Sequence, residues 1–235
     1  MKKTIGIVGG MGPAATCDLM KKIIELTPVE KDQDHARILV DCNSAVPDRT
    51  AAILRGGESP VPTLVAMGNR LADMGAELLL IPCNTSHYFY DEISAAVKAP
   101  VLHMLRETAA ELQRRGIRKA GVLATDGTIE TGIYRRTLAE FGIEALQPEG
   151  EDQQAVMSVI YDGIKSGRRE MDTTAFRRAI EGLFARGAEI MVLGCTELPL
   201  AMELYGVDYP SIDPATELAK AAIRAALGVE PKSEM

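Results

Sequence analysis

The chain contains no tryptophan, and aromatic residues make up only 4% of its 235 positions. Its core must therefore consist mainly of Ala, Leu, Ile, Val and Met. No apolar run approaches the roughly 18 residues that a membrane helix needs. The amino terminus reaches glycine too early to form the apolar region of a signal peptide. We expect a cytoplasmic protein with no membrane partner.

Basic charge is also scarce: 26 Lys and Arg residues stand against 33 Asp and Glu residues, giving a net charge of −7. Nucleic acids and anionic membranes are bound by basic surfaces, so neither is expected as a partner. A small anionic substrate is still compatible with this balance. Salt screens charges beyond about 8 Å, and a few cations in a cleft then outweigh the sign of the whole protein.

Cysteine is sparse and scattered, at positions 17, 42, 83 and 195. Without a Cys-x-x-Cys motif or closely paired histidines, neither a metal site nor a disulfide framework is expected. Cys17 falls within a predicted helix and Cys42 at the end of a predicted strand. Both are interpreted as small buried hydrophobes.

The other two cysteines belong to segments that echo each other, Glu77–His87 and Glu189–Glu197. Each segment follows Gly-Ala, runs through a short apolar stretch, and ends on a cysteine with small polar residues after it. A continuous apolar run of this length is typical of a strand buried on both faces of a parallel sheet. Cys83 and Cys195 are therefore predicted at carboxyl strand ends, where open α/β sheets bind ligands.

The echo extends along the whole chain as an internal repeat of roughly 110 residues. Corresponding residues are separated by 115, 112, 112 and 110 positions in the pairs Gly6 and Gly121, Gly75 and Gly187, Cys83 and Cys195, and Pro100 and Pro210. This predicts an α/β protein of two similar, pseudosymmetric domains with mainly parallel sheets, residues 1–103 plus 214–235 and residues 104–213. We expect the active site in the cleft between the domains.

Four local expectations accompany this domain scheme. Residues 43–62 are expected to be rich in loops, because they contain turn signals such as Pro-Asp and Gly-Gly. Residues 129–141 are expected to form one helix, residues 100–103 a short strand, and residues 214–227 a last helix that packs on the first domain.

Two thiols on opposite sides of a ligand suit racemisation, in which one group removes a proton from carbon and the other returns a proton to the opposite face. A thiol with a pKa near 8.5 is close to the working range of such a base. Asn84, Thr85 and Thr196, just past the strand ends, could donate hydrogen bonds to a substrate α-carboxylate and hold its developing charge. This mechanism requires no cofactor.

At these residues the sequence resembles the cofactor-independent aspartate/glutamate racemases, and most closely the aspartate racemases. The resemblance covers nearly the whole chain, and the two cysteine motifs in register are its most specific part. The matching segments are Ile5–Pro13, Pro47–Thr50, Pro82–Thr85 with His87, Ala124–Ile129, Gly194–Glu197 and Ile212–Pro214.

The resemblance implies that Cys83 and Cys195 are the catalytic acid/base pair and that the protein forms a homodimer. It implies that Arg49 and Lys165 hold the side-chain carboxylate of an acidic amino-acid substrate, where a bidentate arginine contact makes physical sense. The remaining residues predicted to contact the substrate are Met11, Gly12, Asn84, Thr85, Thr125, Thr128, Thr196 and Glu197.

Several alternatives stay open. The turn after the first strand lacks the aspartate residue that cell-wall glutamate racemases carry there, and this difference favours aspartate as the substrate. The alternatives are a glutamate or broad-specificity racemase, a related isomerase or decarboxylase, and a two-lobed binding protein. Glu197 could tune Cys195, orient the substrate ammonium group, or simply begin a helix. His87 could tune Cys83 or serve as a structural cap.

Overall fold

The computed structural model describes residues 2–232. They form two compact units. Unit 1 contains the described residues up to Glu107 and those from Ala215 onward, and unit 2 contains Thr108–Pro214. Each unit has a parallel sheet with helices, which confirms the predicted α/β class.

The elements have the following bounds within the described residues. The strands are β1 (Ile5–Gly9), β2 (Ile38–Cys42), β3 (Leu78–Leu80), β4 (Lys119–Leu123), β5 (Glu144–Leu146), β6 (Ile190–Leu193) and β7 (Ser211–Ile212). The α-helices are α1 (Pro13–Leu26), α2 (Arg49–Leu54), α3 (Val61–Asp73), α4 (Tyr90–Ala96), α5 (Met104–Arg114), α6 (Asp126–Thr131), α7 (Ile133–Glu140), α8 (Gly150–Ser158), α9 (Thr174–Ala185), α10 (Glu197–Leu204) and α11 (Pro214–Leu227). Short 3₁₀ segments cover Asp32–Asp34 and Thr85–Phe89, and a π-helical segment covers Val159–Lys165.

The sheet of unit 1 has the parallel order β2-β1-β3. Gly6 of the central strand lies opposite Leu79, and a β-carbon at Gly6 would come 2.8 Å from the Leu79 side chain. The glycine therefore gives the leucine room to pack. The strand predicted at residues 100–103 is reduced to a single bridge between Leu79 and Val101.

The sheet of unit 2 has the parallel order β5-β4-β6-β7. Gly121 of β4 lies opposite Met191, and a β-carbon at this glycine would come 2.5 Å from the methionine sulfur. Leu79 and Met191 are 112 positions apart, as Cys83 and Cys195 are. The glycine-centred strand pair thus recurs at the spacing seen in the sequence repeat.

A glutamate at the start of each cysteine-bearing strand recurs as well. The Glu77 carboxylate accepts a hydrogen bond from the Thr4 N–H at 3.0 Å, just before β1. In unit 2, the Glu189 carboxylate accepts from the Arg118 and Lys119 N–H groups at 2.8 and 2.9 Å, at the start of β4. We call Glu77 and Glu189 the strand anchors, because each ties the beginnings of two neighbouring strands together.

Some local expectations were wrong. The loop-rich stretch 43–62 contains α2, so Arg49 begins a helix instead of lying on a loop. The single helix expected over 129–141 is broken at Gly132, whose φ of 63° places it in the left-handed region. Glycine adopts that conformation without the steric cost that other residues pay.

The expectation that Cys17 and Cys42 are buried is also wrong, because both side chains are exposed. The buried side of α1 is formed by residues such as Leu19 and Ile23, and Cys17 lies outside it. Cys42 ends β2, which pairs with β1 and forms an edge of the sheet. Edge strands leave part of their side chains accessible.

The carboxyl-terminal helix α11 belongs to unit 1 apart from its first residue. A hydrogen bond of 2.9 Å from the Lys3 N–H to the Ala226 carbonyl ties α11 to the start of the chain. Across residues 2–232, none of the helices combines the length and the apolar character that crossing a membrane demands.

Candidate active site

Cys83 follows β3 after a tight turn in unit 1. Its N–H donates to the Ile81 carbonyl at 2.8 Å, a three-residue turn common at strand ends. The residue is only 6% exposed. The apolar run Leu78–Ile81 is fully buried, so the strand holds the thiol-bearing residue in place at the end of the sheet.

The turn after β1 lies beside the turn after β3. Met11, which is buried, accepts a hydrogen bond through its sulfur from the Ser86 hydroxyl at 3.4 Å. Gly12 is partly buried and precedes α1. Asn84 and Thr85 are buried in the chain that leaves Cys83. The parallel pairing of β1 with β3 thus brings Met11 close to the segment that carries the cysteine.

Arg49 is the first residue of α2, which packs against the 3₁₀ segment after Cys83. The Asp48 carboxylate caps this helix by accepting from the Ala51 N–H at 2.7 Å. Arg49 donates through Nη1 to the Val46 carbonyl at 3.2 Å and to the Pro47 carbonyl at 2.9 Å. The guanidinium group, a rigid multiple donor, is therefore tied to its own loop and is half-buried.

Cys195 occupies the corresponding place in unit 2, just past β6, and is 7% exposed. Its sulfur donates a hydrogen bond to the Glu197 carboxylate at 3.0 Å, and the Thr196 hydroxyl donates to the same oxygen at 3.4 Å. Burial and then the negative charge of Glu197 raise the pKa of the Cys195 thiol well above its usual range. Cys195 is thus held as a protonated thiol, which can act as an acid.

Thr125 and Thr128 lie just past β4, the strand that pairs with β6. Their hydroxyl groups are 3.3 Å apart and both residues are buried. Gln153 of α8 fixes this turn by donating through Nε2 to the Ala124 carbonyl at 3.1 Å and to the Asp126 carboxylate at 2.8 Å. Two hydroxyl groups therefore lie on a braced turn at the cysteine end of the sheet.

Lys165 is the last residue of the π-helical segment, which packs against α10. Its ammonium nitrogen lies 4.5 Å from the centroid of the Tyr161 ring, a cation–π distance. The positive charge of Lys165 acts on Cys195, where it partly opposes the rise in the thiol pKa. π-Helical turns often occur at functional sites, and this one places a cation near the second cysteine.

The predicted site residues therefore fall into two groups, one in each unit. The group in unit 1 contains Cys83 with Met11, Gly12, Arg49, Asn84 and Thr85. The group in unit 2 contains Cys195 with Thr125, Thr128, Lys165, Thr196 and Glu197. Each group combines a buried thiol, hydroxyl or amide donors and one basic side chain.

Sequence reasoning missed Tyr134, a fully buried residue of α7. A β-carbon at Gly194, the residue before Cys195, would come 3.0 Å from the Tyr134 ring. Burial, with the nearby Asp213 and Cys195, raises the pKa of Tyr134 well above its usual range, while a hydrogen bond with Thr108 opposes the shift. Tyr134 thus supports the strand end beneath Cys195, a role that no spacing in the sequence indicates.

Among residues 2–232, no cluster of three or more His, Cys, Asp or Glu side chains is arranged to hold a metal ion.

Comparison with known proteins gives a consistent family. Residues 8–222 match the model of the family described as Asp/Glu/hydantoin racemase. The chain is 29% identical to the broad-specificity amino-acid racemase RacX of Bacillus subtilis (strain 168), over 93% of this chain and 96% of that protein.

Solved structures agree with the family match. The aspartate racemase of Picrophilus torridus is similar, with a TM-score of 0.82 and 32% identity, covering 98% of this chain and 96% of the other. An aspartate racemase homologue from Pyrococcus horikoshii OT3 has a TM-score of 0.76 at 27% identity, covering 96% and 99%.

Proposed function

Because the chain belongs to the Asp/Glu/hydantoin racemase family, we propose that it interconverts L- and D-aspartate without a cofactor, with Cys83 and Cys195 as the two acid/base groups. Members of this family are isomerases, and so is this chain. The observation that most supports the proposal is that each repeat has a buried cysteine two or three residues past the end of a buried strand. The proposal also requires units 1 and 2 to present these strand ends to one substrate.

In the proposed reaction, the thiolate of one cysteine takes the α-proton as the C–H bond breaks and an S–H bond forms. The electron pair moves onto the α-carboxylate, where donors from Asn84, Thr85, Thr128 and Thr196 stabilise it. The thiol of the other cysteine then protonates the opposite face. One proton enters and one leaves, so the two cysteines exchange protonation states and no external reductant or oxidant is needed.

Cys195 is proposed to be the acid at the start of a turnover that begins with deprotonation by Cys83. The Sγ–carboxylate contact with Glu197 and the burial of both groups support this resting state. In the reverse direction Cys195 must act as a thiolate, which the charge of Lys165 favours. Glu197 thus raises the pKa of the Cys195 thiol, and Lys165 lowers it.

Replacing Glu197 by glutamine removes the negative charge that faces the thiol. The substitution should lower the Cys195 pKa, although burial will keep it raised. Because alkylation requires the thiolate, the rate of Cys195 modification by iodoacetamide should reach its midpoint at lower pH in the variant, as measured by peptide mass spectrometry. Glu203→Gln, on the exposed part of the same helix α10, is the matched control. An unchanged midpoint would mean that Glu197 does not govern this thiol.

Arg49 and Lys165 are proposed to hold the side-chain carboxylate of aspartate. Arg49 is a half-buried donor on a helix packed against the segment after Cys83, and Lys165 is a cation near Cys195. The similarity to the aspartate racemase of Picrophilus torridus supports a four-carbon acid. The similarity to the broad-specificity racemase of Bacillus subtilis supports a second candidate, a racemase that accepts several amino acids.

Replacing Arg49 by glutamine should lower kcat/KM for aspartate by about 10- to 100-fold, since hydrogen bonds to charged groups contribute about 1.5–3 kcal/mol. The effect on a neutral amino acid such as alanine should be much smaller. Arg55→Gln, an exposed arginine at the end of the same helix α2, is the control. Thermal denaturation of each variant checks that the loop carbonyls held by Arg49 have not been released. Equal losses on aspartate and alanine would contradict the assigned role.

The function is tested by proton NMR of the purified protein with L-aspartate in deuterium oxide, without added cofactor, and separately with L-glutamate and L-alanine. Loss of the α-proton signal, with D-aspartate found by chiral analysis, is the expected result. Comparable exchange of all three amino acids would favour the broad-specificity candidate. If no amino acid exchanges while the thiols are reduced, the proposed function is wrong.

A further inference from the structure

A buried imidazole, His87, lies beside Cys83 and has no part in the proposed proton transfers. It is 6% exposed and belongs to the 3₁₀ segment Thr85–Phe89. Its Nδ1 is 2.9 Å from the Cys83 carbonyl oxygen, and its Nε2 is 3.1 Å from the Met104 backbone nitrogen at the start of α5. The ring therefore bridges the cysteine and the first residue of a helix.

These two contacts fix the tautomer of the ring. The Met104 N–H can only donate, so Nε2 must accept with its lone pair. In a neutral imidazole the proton then lies on Nδ1, which donates to the Cys83 carbonyl. Burial, followed by the influence of His103, lowers the pKa of His87 to about 3, while hydrogen bonds with the Cys83 and Leu102 backbones oppose the shift. His87 is thus a neutral ring with both nitrogens engaged by the backbone, which leaves no free nitrogen to act as a base.

The cysteine carbonyl has a different hydrogen-bond donor in each unit. In unit 2 the Cys195 carbonyl accepts a hydrogen bond from the backbone N–H of Leu198 at 2.9 Å, as α10 begins. After Cys83 the chain forms a 3₁₀ segment, and the His87 N–H donates to the Asn84 carbonyl at 3.0 Å. The His87 ring, in place of a helical N–H, holds the Cys83 carbonyl.

Neighbouring rings fix the orientation of the imidazole. The His103 ring lies 5.1 Å from the His87 ring and 4.3 Å from the Tyr90 ring, between centroids. The Tyr90 hydroxyl donates to the Val101 carbonyl at 2.9 Å. The imidazole is therefore held by packing as well as by hydrogen bonds, and its Nδ1–H has a defined direction.

We propose that His87 is a positioning residue, whose Nδ1–H holds the peptide between Cys83 and Asn84 and so sets the direction of the Cys83 thiol. As a contribution to catalysis this rests on the proposed function, since it assumes that Cys83 exchanges a proton with substrate. A displacement of about 1 Å at a reacting group can cost about 100-fold in rate, so the orientation of this one peptide matters for turnover.

Two amide substitutions separate the two contacts of the ring. In His87→Asn, the short side chain can place an N–H where Nδ1 lies and keep the Cys83 contact. In His87→Gln, the longer side chain can place its oxygen near the position of Nε2 and keep the Met104 contact, but it leaves the Cys83 carbonyl without its donor. We expect kcat to fall about 100-fold in His87→Gln and less than about 5-fold in His87→Asn, with KM changed little in either.

Two further measurements do not depend on turnover. Nitrogen-15 NMR of the wild-type protein should show a pyrrole-type Nδ1 and a pyridine-type Nε2 for His87 throughout neutral pH. The alkylation rate of Cys83, resolved by peptide mass spectrometry, should rise about 10-fold in His87→Gln and stay near the wild-type rate in His87→Asn. Thermal denaturation of both variants accompanies these measurements.

The outcomes distinguish this proposal from the proposed function. Absence of racemisation in the wild type overturns the proposed function, and the alkylation pattern and the tautomer then still decide whether His87 positions Cys83. Equal behaviour of the two variants in kcat and in alkylation overturns the positioning role, because a purely structural histidine would not distinguish them. If neither variant folds, a wild-type ring protonated on Nε2 overturns it.

Discussion

Replacing either Cys83 or Cys195 by serine is expected to reduce racemisation of aspartate by about 1,000-fold or more. General acid–base catalysis typically contributes 10²- to 10⁴-fold, and a serine hydroxyl is a far weaker acid than a thiol. Each single substitution should suffice, because inversion requires one group on each face of the α-carbon. The measurement is chiral analysis of aspartate over time, starting from each enantiomer.

The exposed cysteines supply matched controls for this experiment. Cys17→Ser and Cys42→Ser make the same chemical change on residues that lie outside both predicted groups, and they should leave the rate unchanged. Full racemisation by the Cys83 or the Cys195 variant would exclude the two-base mechanism. Loss in only one of them would instead indicate chemistry that uses one thiol, as a decarboxylase would.

Replacing Gly10 by alanine is expected to cost about 3 kcal/mol or more in the free energy of unfolding. The φ of Gly10 is 97°, a conformation that residues with a β-carbon rarely adopt. A β-carbon there would also lie 2.2 Å from the Asn43 carbonyl oxygen and 2.3 Å from its carbon. Backbone atoms cannot rotate away as a side chain can, so either strand β1 or the chain after β2 must move.

Gly56→Ala is the control for the Gly10 substitution. Its φ of 64° is also left-handed, but no atom lies within 4 Å of a β-carbon built there, so only the backbone cost of about 1–2 kcal/mol applies. We expect the thermal midpoint to fall by roughly 6–12 °C for Gly10→Ala, and by about two thirds of that or less for Gly56→Ala. Equal shifts would show that the contact with Asn43 relaxes easily.

Periodicity and the repeat were enough to predict the α/β class and the two parallel strands that are followed by cysteines. A buried parallel strand has a local signature, namely an apolar run with polar flanks. A repeated spacing of 112 positions then identifies the equivalent strands. Leu79 and Met191, which pair with Gly6 and Gly121, lie at that same spacing.

The features that could not be predicted depend on contacts between distant residues. The sequence around Arg49 contains turn signals, but the Asp48 cap and packing against the segment after Cys83 support a short helix there. The π-helical turn that ends at Lys165 has no distinct periodicity over seven residues. Cys17 is exposed because it lies outside the buried side of α1. Cys42 is exposed because its strand, β2, forms an edge of the sheet.

The tuning of the two thiols was equally ambiguous in the sequence. The sequence is compatible with three roles for Glu197, and the structure places it both in the first turn of α10 and in contact with Cys195. His87 likewise caps the start of α5 and contacts Cys83. The spacing of residues in the sequence cannot reveal that one side chain serves both a helix start and a cysteine. Such a double role depends on the rotamer of the side chain, which the surrounding core fixes.

The strand anchors Glu77 and Glu189 are two comparable sites within one molecule. They are equivalent residues in two units of different sequence, and each accepts backbone hydrogen bonds where neighbouring strands begin. The same glutamate-to-glutamine exchange can therefore be made twice in one molecule, away from either cysteine. The effects of the two substitutions on stability can then be compared within one protein. The local surroundings of the glutamate differ between the two units, while expression, solvent and temperature are the same.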